Sequence, residues 1–210
     1  MKIIDLTLTY RNGMRGVNIS PAKSINKDGW NANTLCLYSH AGTHMDAPPH
    51  FGAGKIGIDE MPIENCIGKA WIIDIPDCKS KQLLGTSDLG QKMDKIQDGD
   101  SLIFRTGWSR YVDQPEYRDE LPRISAELAH WCVLNQIKML AVEPPSVADV
   151  TNMDELKEVH KILLKGGVTI VEGLTNLESI DADYVELYAI PLKIYQGDGA
   201  PARVFAIIRE

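Results

Sequence analysis

The chain has 210 residues, 44% of them hydrophobic and 24% charged, with a formal net charge of −7 at pH 7. That length suits one domain with a sizeable core over residues 1–210, and the acidic balance gives no global basic field for nucleic acid or an anionic membrane. No apolar run reaches the roughly 18 residues of a membrane span, and the opening MKIIDLTLTY meets Asp5 too early for a secretory leader, so the expected compartment is the cytoplasm.

In chain order, short runs rich in β-branched and aromatic residues predict strands. They are KIIDLTL (2–8), TLCLYS (34–39), KAWIIDI (69–75), SLIFRT (101–106), KMLAV (138–142), VTIVE (168–172), VELYAIPLKI (185–194) and ARVFAII (202–208). Helical periodicity marks three segments. SDLGQKMDKI (87–96) is interrupted by Gly90. SAELAHWCVLNQI (125–137) has Ser125 placed as an N-cap and an apolar stripe of Leu128, Trp131, Cys132 and Leu134. NMDELKEVHKILLKGG (152–167) opens with Asn152 and Glu155, a variant of the capping box, and closes with Lys165 and Gly166. The segments 52–66 and 109–123 read as long loops whose charges are solvated surface. Strands outnumber helices, so the expected class is mixed α/β, with sheet layers covered by a few helices. Cys36, Cys66, Cys78 and Cys132 are scattered without a C-x-x-C pair, which predicts reduced thiols.

Residues 40–51 read HAGTHMDAPPHF and hold three of the chain's five histidines. If the strand entering through TLCLYS continues, alternation puts His40, His44 and Asp46 on one face. Gly42 between them would leave room for a ligand or for close-packed backbone. A helix would also pair His40 with His44, but Gly42, Pro48 and Pro49 oppose one. Two imidazoles and a carboxylate make three protein ligands, the catalytic arrangement of a metal with an open position, and the N/O donor set suits zinc or manganese. His50, aimed by the proline pair, would be the acid or base. The alternative for such residues is polar loop or satisfied core histidine. His130, alone on the 125–137 helix, takes that structural reading.

HAGTHMDAPPH also fits H-x-G-T-H-x-D-x-P-x-H, and by it the chain resembles the cyclase family that includes bacterial kynurenine formamidases and isatin hydrolases. HKILLKGGVTIVEGLTNL (160–177), RTGWSRY (105–111) and LKIYQGDGAPARVFAI (192–207) are similar to further family segments, so the resemblance covers nearly the whole chain. It implies the swivelling β/β/α fold, a metal-dependent hydrolase with one or two zinc ions or manganese per chain, and a homodimer or homotetramer. It implies that His40, His44 and Asp46 bind metal, that His160 and Glu172 complete a two-metal site with Asp46 bridging, and that His50 is the catalytic acid–base. From the residues alone, His160 and Glu172 would read as a packing histidine and a solvated charge.

The resemblance implies cleavage of a C–N bond in a small amide, in the first place N-formylkynurenine to kynurenine and formate, as in tryptophan breakdown. Isatin-type hydrolysis of a cyclic amide is the second reading. A metal- or ligand-binding protein without turnover is a third, opposed by the intact His50. One departure stands out. AVEPPSVAD (141–149) has Glu143 and Pro144 where many members read aspartate and threonine, near the family's active site. Trp30, Tyr38, Phe51 and Trp108 are candidate substrate contacts or core aromatics.

Overall fold

A computed structural model describes residues 1–209. Its strands are β1 (Lys2–Asp5), β2 (Val17–Lys23), β3 (Ala32–Leu37), β4 (His44–Asp46), β5 (Ile67–Asp74), β6 (Leu83–Leu84), β7 (Ser101–Arg105), β8 (Arg123–Ile124), β9 (Met139–Val142), β10 (Thr169–Glu172), β11 (Tyr184–Pro191) and β12 (Gly199–Ile208). Two single helical turns, α1 (Ile25–Asp28) and α2 (Glu116–Asp119), accompany two longer helices, α3 (Ala126–Leu134) and α4 (Met153–Lys165).

One sheet runs β1-β12-β11-β5-β7-β9-β10-β4, and β4 pairs a second time, with β12. That second pairing closes the sheet into a barrel, with β1 flanking β12 along the same edge as β4. Strands β5, β7, β9 and β10 are mutually parallel. The rest of the ring is antiparallel.

The parallel half is buried on both faces, which is why its sequence reads as unbroken apolar runs. Ile72, Ile103, Ala141 and Val171 point into the barrel, where a crowd of alanines (Ala70, Ala189, Ala200, Ala202, Ala206) fits the narrow interior. Their neighbours Trp71, Ile73, Leu102, Phe104, Leu140 and Ile170 point outward, against Leu128, Ala129 and Cys132 of α3 and Val159, Leu163 and Leu164 of α4. The strand period of two thus sorts a continuous run into two cores.

Each predicted strand run contains a strand, and the mixed α/β class holds. The caps form as expected: Ser125 accepts from the Leu128 N–H, and Asn152 from the Glu155 N–H. Glu155 does not return the second bond of a capping box; its carboxylate accepts from the Asp149 N–H and from Arg123. The 87–96 segment is not an α-helix. It is 3₁₀, broken at Gly90 (φ 53°, ψ −139°), a positive-φ conformation that glycine adopts without a Cβ penalty.

Four strands lie outside the predicted runs: the two-residue β6 and β8, which pair with each other, and β2 and β4. β2 is exposed along most of its length and contains Pro21; it pairs only with β3 and forms an arm whose Ile25, Trp30 and Leu35 are exposed. β4 is three residues long and is held entirely by its two neighbours.

A candidate metal centre at the end of the barrel

The site begins with the register of β4. His44 lies opposite Glu172 of β10, and Asp46 opposite Ile170. Met45 between them faces the barrel core, so His44 and Asp46 face outward with Glu172, on the side covered by α4. From α4, His160 comes down onto the same spot. All four are almost wholly buried, at 1%, 1%, 3% and 2% exposure for His44, Asp46, Glu172 and His160.

His40 arrives differently from the sequence expectation. β3 ends at Leu37, and the chain turns, with the Ala41 N–H bonded to the Tyr38 carbonyl. The extension therefore does not continue to His40; alternation holds for His44 and Asp46 alone. Gly42, at φ +59°, borders the cleft and is closely packed: a Cβ there would sit 3.0 Å from the Tyr10 ring. A Cβ on Gly173 would sit 2.4 Å from the Gly42 carbonyl oxygen. These contacts seat the 39–43 turn against the end of β10.

Hydrogen bonds fix which imidazole nitrogen faces inward. His44 Nδ1 lies 3.0 Å from the Gly42 carbonyl, and His160 Nδ1 lies 2.7 Å from the Leu156 carbonyl. A carbonyl only accepts, so Nδ1 carries the proton in both rings and Nε2 is turned to the cluster. His44 Nε2 is 3.1 Å from Glu172 Oε2 and 3.7 Å from Asp46 Oδ1. His160 Nε2 is 3.5 Å from Glu172 Oε1 and 3.6 Å from Asp46 Oδ2. The short His44–Glu172 approach is misaligned, and His44 Nε2 and Asp46 Oδ2 remain buried without a hydrogen-bond partner. Buried polar atoms of a native protein are normally satisfied. Glu172 Oε1 also accepts the Val147 N–H at 2.7 Å, which holds the carboxylate in place.

His40 Nδ1 is 2.8 Å from Asp46 Oδ1, and its Nε2 is 3.1 Å from Asp198 Oδ2. Burial lowers its pKa, but the two carboxylates outweigh burial and raise it to about 9. For Glu172, burial is outweighed in the same way by the neighbouring His160 and His44 imidazoles, which hold its carboxyl below the usual range. His50, on the 3₁₀ turn Pro48–Phe51, stacks on His40 with ring centroids 3.7 Å apart. Its Nδ1 is 3.7 Å from Asp198 Oδ2, too far for a hydrogen bond. Burial and the neighbouring His40 and His160 push its pKa below 6.5, against the pull of Asp46 and Glu172.

Two sets of donor atoms lie within 4.8 Å of one another: His40, Asp46 and His50, and His44, Asp46 and Glu172. Asp46 belongs to both. Imidazole nitrogens and carboxylate oxygens, with two orphaned inner atoms, fit a divalent cation of the zinc or manganese kind. The cluster forms the floor of a cleft of about 710 Å³ lined also by Leu8, Met14, Tyr38, Phe51 and Val150.

All six site residues expected from the sequence therefore meet at one place. Asp198 was missed. It sits before Gly199 at the start of β12, 158 positions from His40, and no local pattern marks it. Glu143 is buried but does not line the cleft. Its carboxylate accepts from the Thr106 N–H and hydroxyl, the Trp108 N–H and the Ser109 hydroxyl, at 2.7–3.2 Å. The departure at Glu143 thus anchors the 106–109 turn. Trp108 is core, with its Nε1–H donated to the Tyr117 carbonyl; Tyr38 and Phe51 line the cleft, and Trp30 is on the arm. Asp113, Arg118 and Asp119, expected to be plain surface, line the cleft. His130 is exposed on α3.

A closed mixed barrel, α4 laid over β4 and β10, and a buried His/Asp/Glu cluster define a family as well as a site. The family model described as "Putative cyclase" matches residues 4–149, and the chain belongs to this cyclase family. It is similar to the kynurenine formamidase of Erythrobacter litoralis, 31% identical over 180 residues that cover 86% of this chain and 77% of that protein. The kynurenine formamidase of Bacillus thuringiensis is 34% identical, covering 85% of this chain and 80% of that one. Among solved structures, isatin hydrolase A from Labrenzia aggregata superposes with a TM-score of 0.89 at 22% identity, covering 100% of this chain and 94% of that one. At that identity the likeness speaks for the fold.

Proposed function

We propose that the protein is a metal-dependent hydrolase of a C–N bond in a small amide, of the arylformamidase type. The observation that carries this is the convergence of His40, His44, Asp46, His160 and Glu172 on one buried point, with His44 Nε2 and Asp46 Oδ2 unsatisfied there. The kynurenine formamidase relatives, above 30% identity over most of the chain, support the formamide as the substrate class.

His40, His44, Asp46, His160 and Glu172 would hold one or two zinc or manganese ions, with Asp46 shared. When bound, the cation supplies Lewis acidity, polarising a carbonyl and acidifying water. The chain supplies the rest. The Nδ1–H bonds of His44 and His160 hold their Nε2 atoms toward the cation. The 710 Å³ cleft has room for a small amide whose carbonyl would reach the cluster. The His50 ring makes no hydrogen bond to the described residues, and burial lowers its pKa, which favours the neutral ring. Its free ring nitrogen can take a proton from the attacking water and return it to the leaving nitrogen. Tight burial of the cluster keeps these charges in a low-dielectric site, where they act more strongly.

The proposed compartment is the cytoplasm. The four cysteines are free thiols, and no helix among the described residues is long and apolar enough to cross a membrane. The chain is read as one domain, with both cores sharing one sheet, and as a homodimer or homotetramer. The exposed apolar side chains of the β2–β3 arm support self-association.

Competing substrates test the reaction class. Purified protein loaded with zinc or manganese should release kynurenine from N-formylkynurenine faster than it opens isatin. The reverse preference would move the assignment to cyclic amides.

A further inference from the structure

Four charged side chains line the cleft away from the metal cluster: Arg15, Asp113, Arg118 and Asp119. Three already have partners. Asp113 pairs with Arg11, and Arg118 pairs with Asp119 at 3.0 Å. Arg15 forms no hydrogen bond or ion pair among the described residues. In a protein of net charge −7, an uncompensated guanidinium beside the cleft is a specific local feature.

Arg15 is exposed, and the turn that carries it is fixed in place. It lies in a turn closed by the Met14 N–H on the Arg11 carbonyl (3.2 Å) and the Val17 N–H on the Met14 carbonyl (3.1 Å). Gly16, at φ +74°, packs so closely on Tyr38 that a Cβ would sit 2.6 Å from the Tyr38 Cβ. The Tyr38 N–H donates to the Gly16 carbonyl at 2.8 Å. The Tyr38 ring in turn lies 5.5 Å from that of His40. The turn that carries Arg15 is therefore tied, through one residue, to the metal cluster. Leu8, Met14, Val112 and Val150 line the same cleft and offer an apolar bed.

We propose that Arg15 is the anchor for a carboxylate on the substrate. The preferred substrate would then be an aryl amide that carries an anionic group at a distance from the scissile bond. This rests on the hydrolase reading above and narrows it. The planar guanidinium fork matches a carboxylate with two parallel hydrogen bonds. An open-chain formamide with an amino-acid side arm presents such a group; a neutral cyclic amide does not. Arg118 does not serve, because Asp119 occupies it.

The test compares N-formylkynurenine with 2′-formamidoacetophenone, the same aryl formamide without the amino-acid carboxylate, on metal-loaded protein. The readout is the ratio of the two kcat/KM values in the wild type, Arg15→Gln and Arg15→Lys. Arg15→Gln should lower the ratio roughly tenfold through KM, as expected for a hydrogen-bonded charge at a solvated site, and Arg15→Lys should recover part of it. An unchanged ratio, or equal loss on both substrates, would overturn the proposal. A second arm measures binding of kynurenine and 2-aminoacetophenone by calorimetry. If the wild type hydrolyses neither formamide, the formamidase reading fails, and the binding arm still decides Arg15. Weaker kynurenine binding in Arg15→Gln supports the anchor; equal affinity in both proteins overturns it.

Discussion

His50 and Asp198 are the two residues whose roles the geometry separates most sharply. The His50 ring stacks on His40 yet makes no hydrogen bond to the described residues, as a group that must exchange protons should. In the proposed reading, His50→Ala lowers turnover by about 10²–10⁴-fold, the usual contribution of an acid–base group, while metal content by elemental analysis is unchanged. Loss of metal would instead make His50 a ligand, which its position within ligand distance of His40 and Asp46 permits. Asp198 is hydrogen-bonded to the cluster through His40 Nε2. A carboxylate behind a ligating imidazole orients it, and losing such a partner typically costs 10–100-fold in metal affinity. Asp198→Asn should therefore raise the metal dissociation constant by about 10-fold or more in competition with a chromophoric chelator. Their crowding into twelve residues marked His40, His44, Asp46 and His50 as candidates, although the alternation expected to aim His40 fails where the chain turns after Leu37. His160 and Glu172 were legible only by family resemblance, because a helix histidine and a strand-end glutamate are ordinary until the fold brings them together. Asp198 was not legible at all.

At the scale of elements, the site depends on how β10 ends against the turn before β4. Gly173 is at φ +71°, and a side chain there would strike the Gly42 carbonyl, which is backbone and cannot swing away. Gly173→Ala combines left-handed strain with overpacking, about 2–4 kcal/mol together. For a chain of this size the melting temperature should fall by roughly 4–16 °C. Gly99, at φ +84° with nothing within 4 Å of its missing Cβ, is the control. Gly99→Ala should cost only the backbone part, about 1 kcal/mol. Equal melting temperatures for the two variants would refute the packing argument. The elements read well from sequence where burial imposed a pattern, as in β5, β7, α3 and α4. They were missed where it did not. β2 lies exposed in the arm, and β4 has too few residues to show a period.

At the scale of the whole molecule, the barrel closes through β4, the same strand that carries His44 and Asp46. That closure was beyond sequence reading, because three residues joining two distant strands leave no local signal. It would also link a metal to stability, since a cation held as proposed would tie β4, β10 and α4 together, elements from three parts of the chain. A ligand at a hundred times its dissociation constant stabilises by about 2.7 kcal/mol, so saturating zinc or manganese should raise the melting temperature of chelator-stripped protein by roughly 5–10 °C. No shift with any divalent cation would argue against a resident metal.

The most direct measurement follows kynurenine release from N-formylkynurenine by the purified protein, before chelation, after a strong chelator, and after metal is restored. Fast release that disappears with the chelator and returns with zinc or manganese is the predicted result. No release from protein shown by elemental analysis to hold its metal would contradict the formamidase assignment.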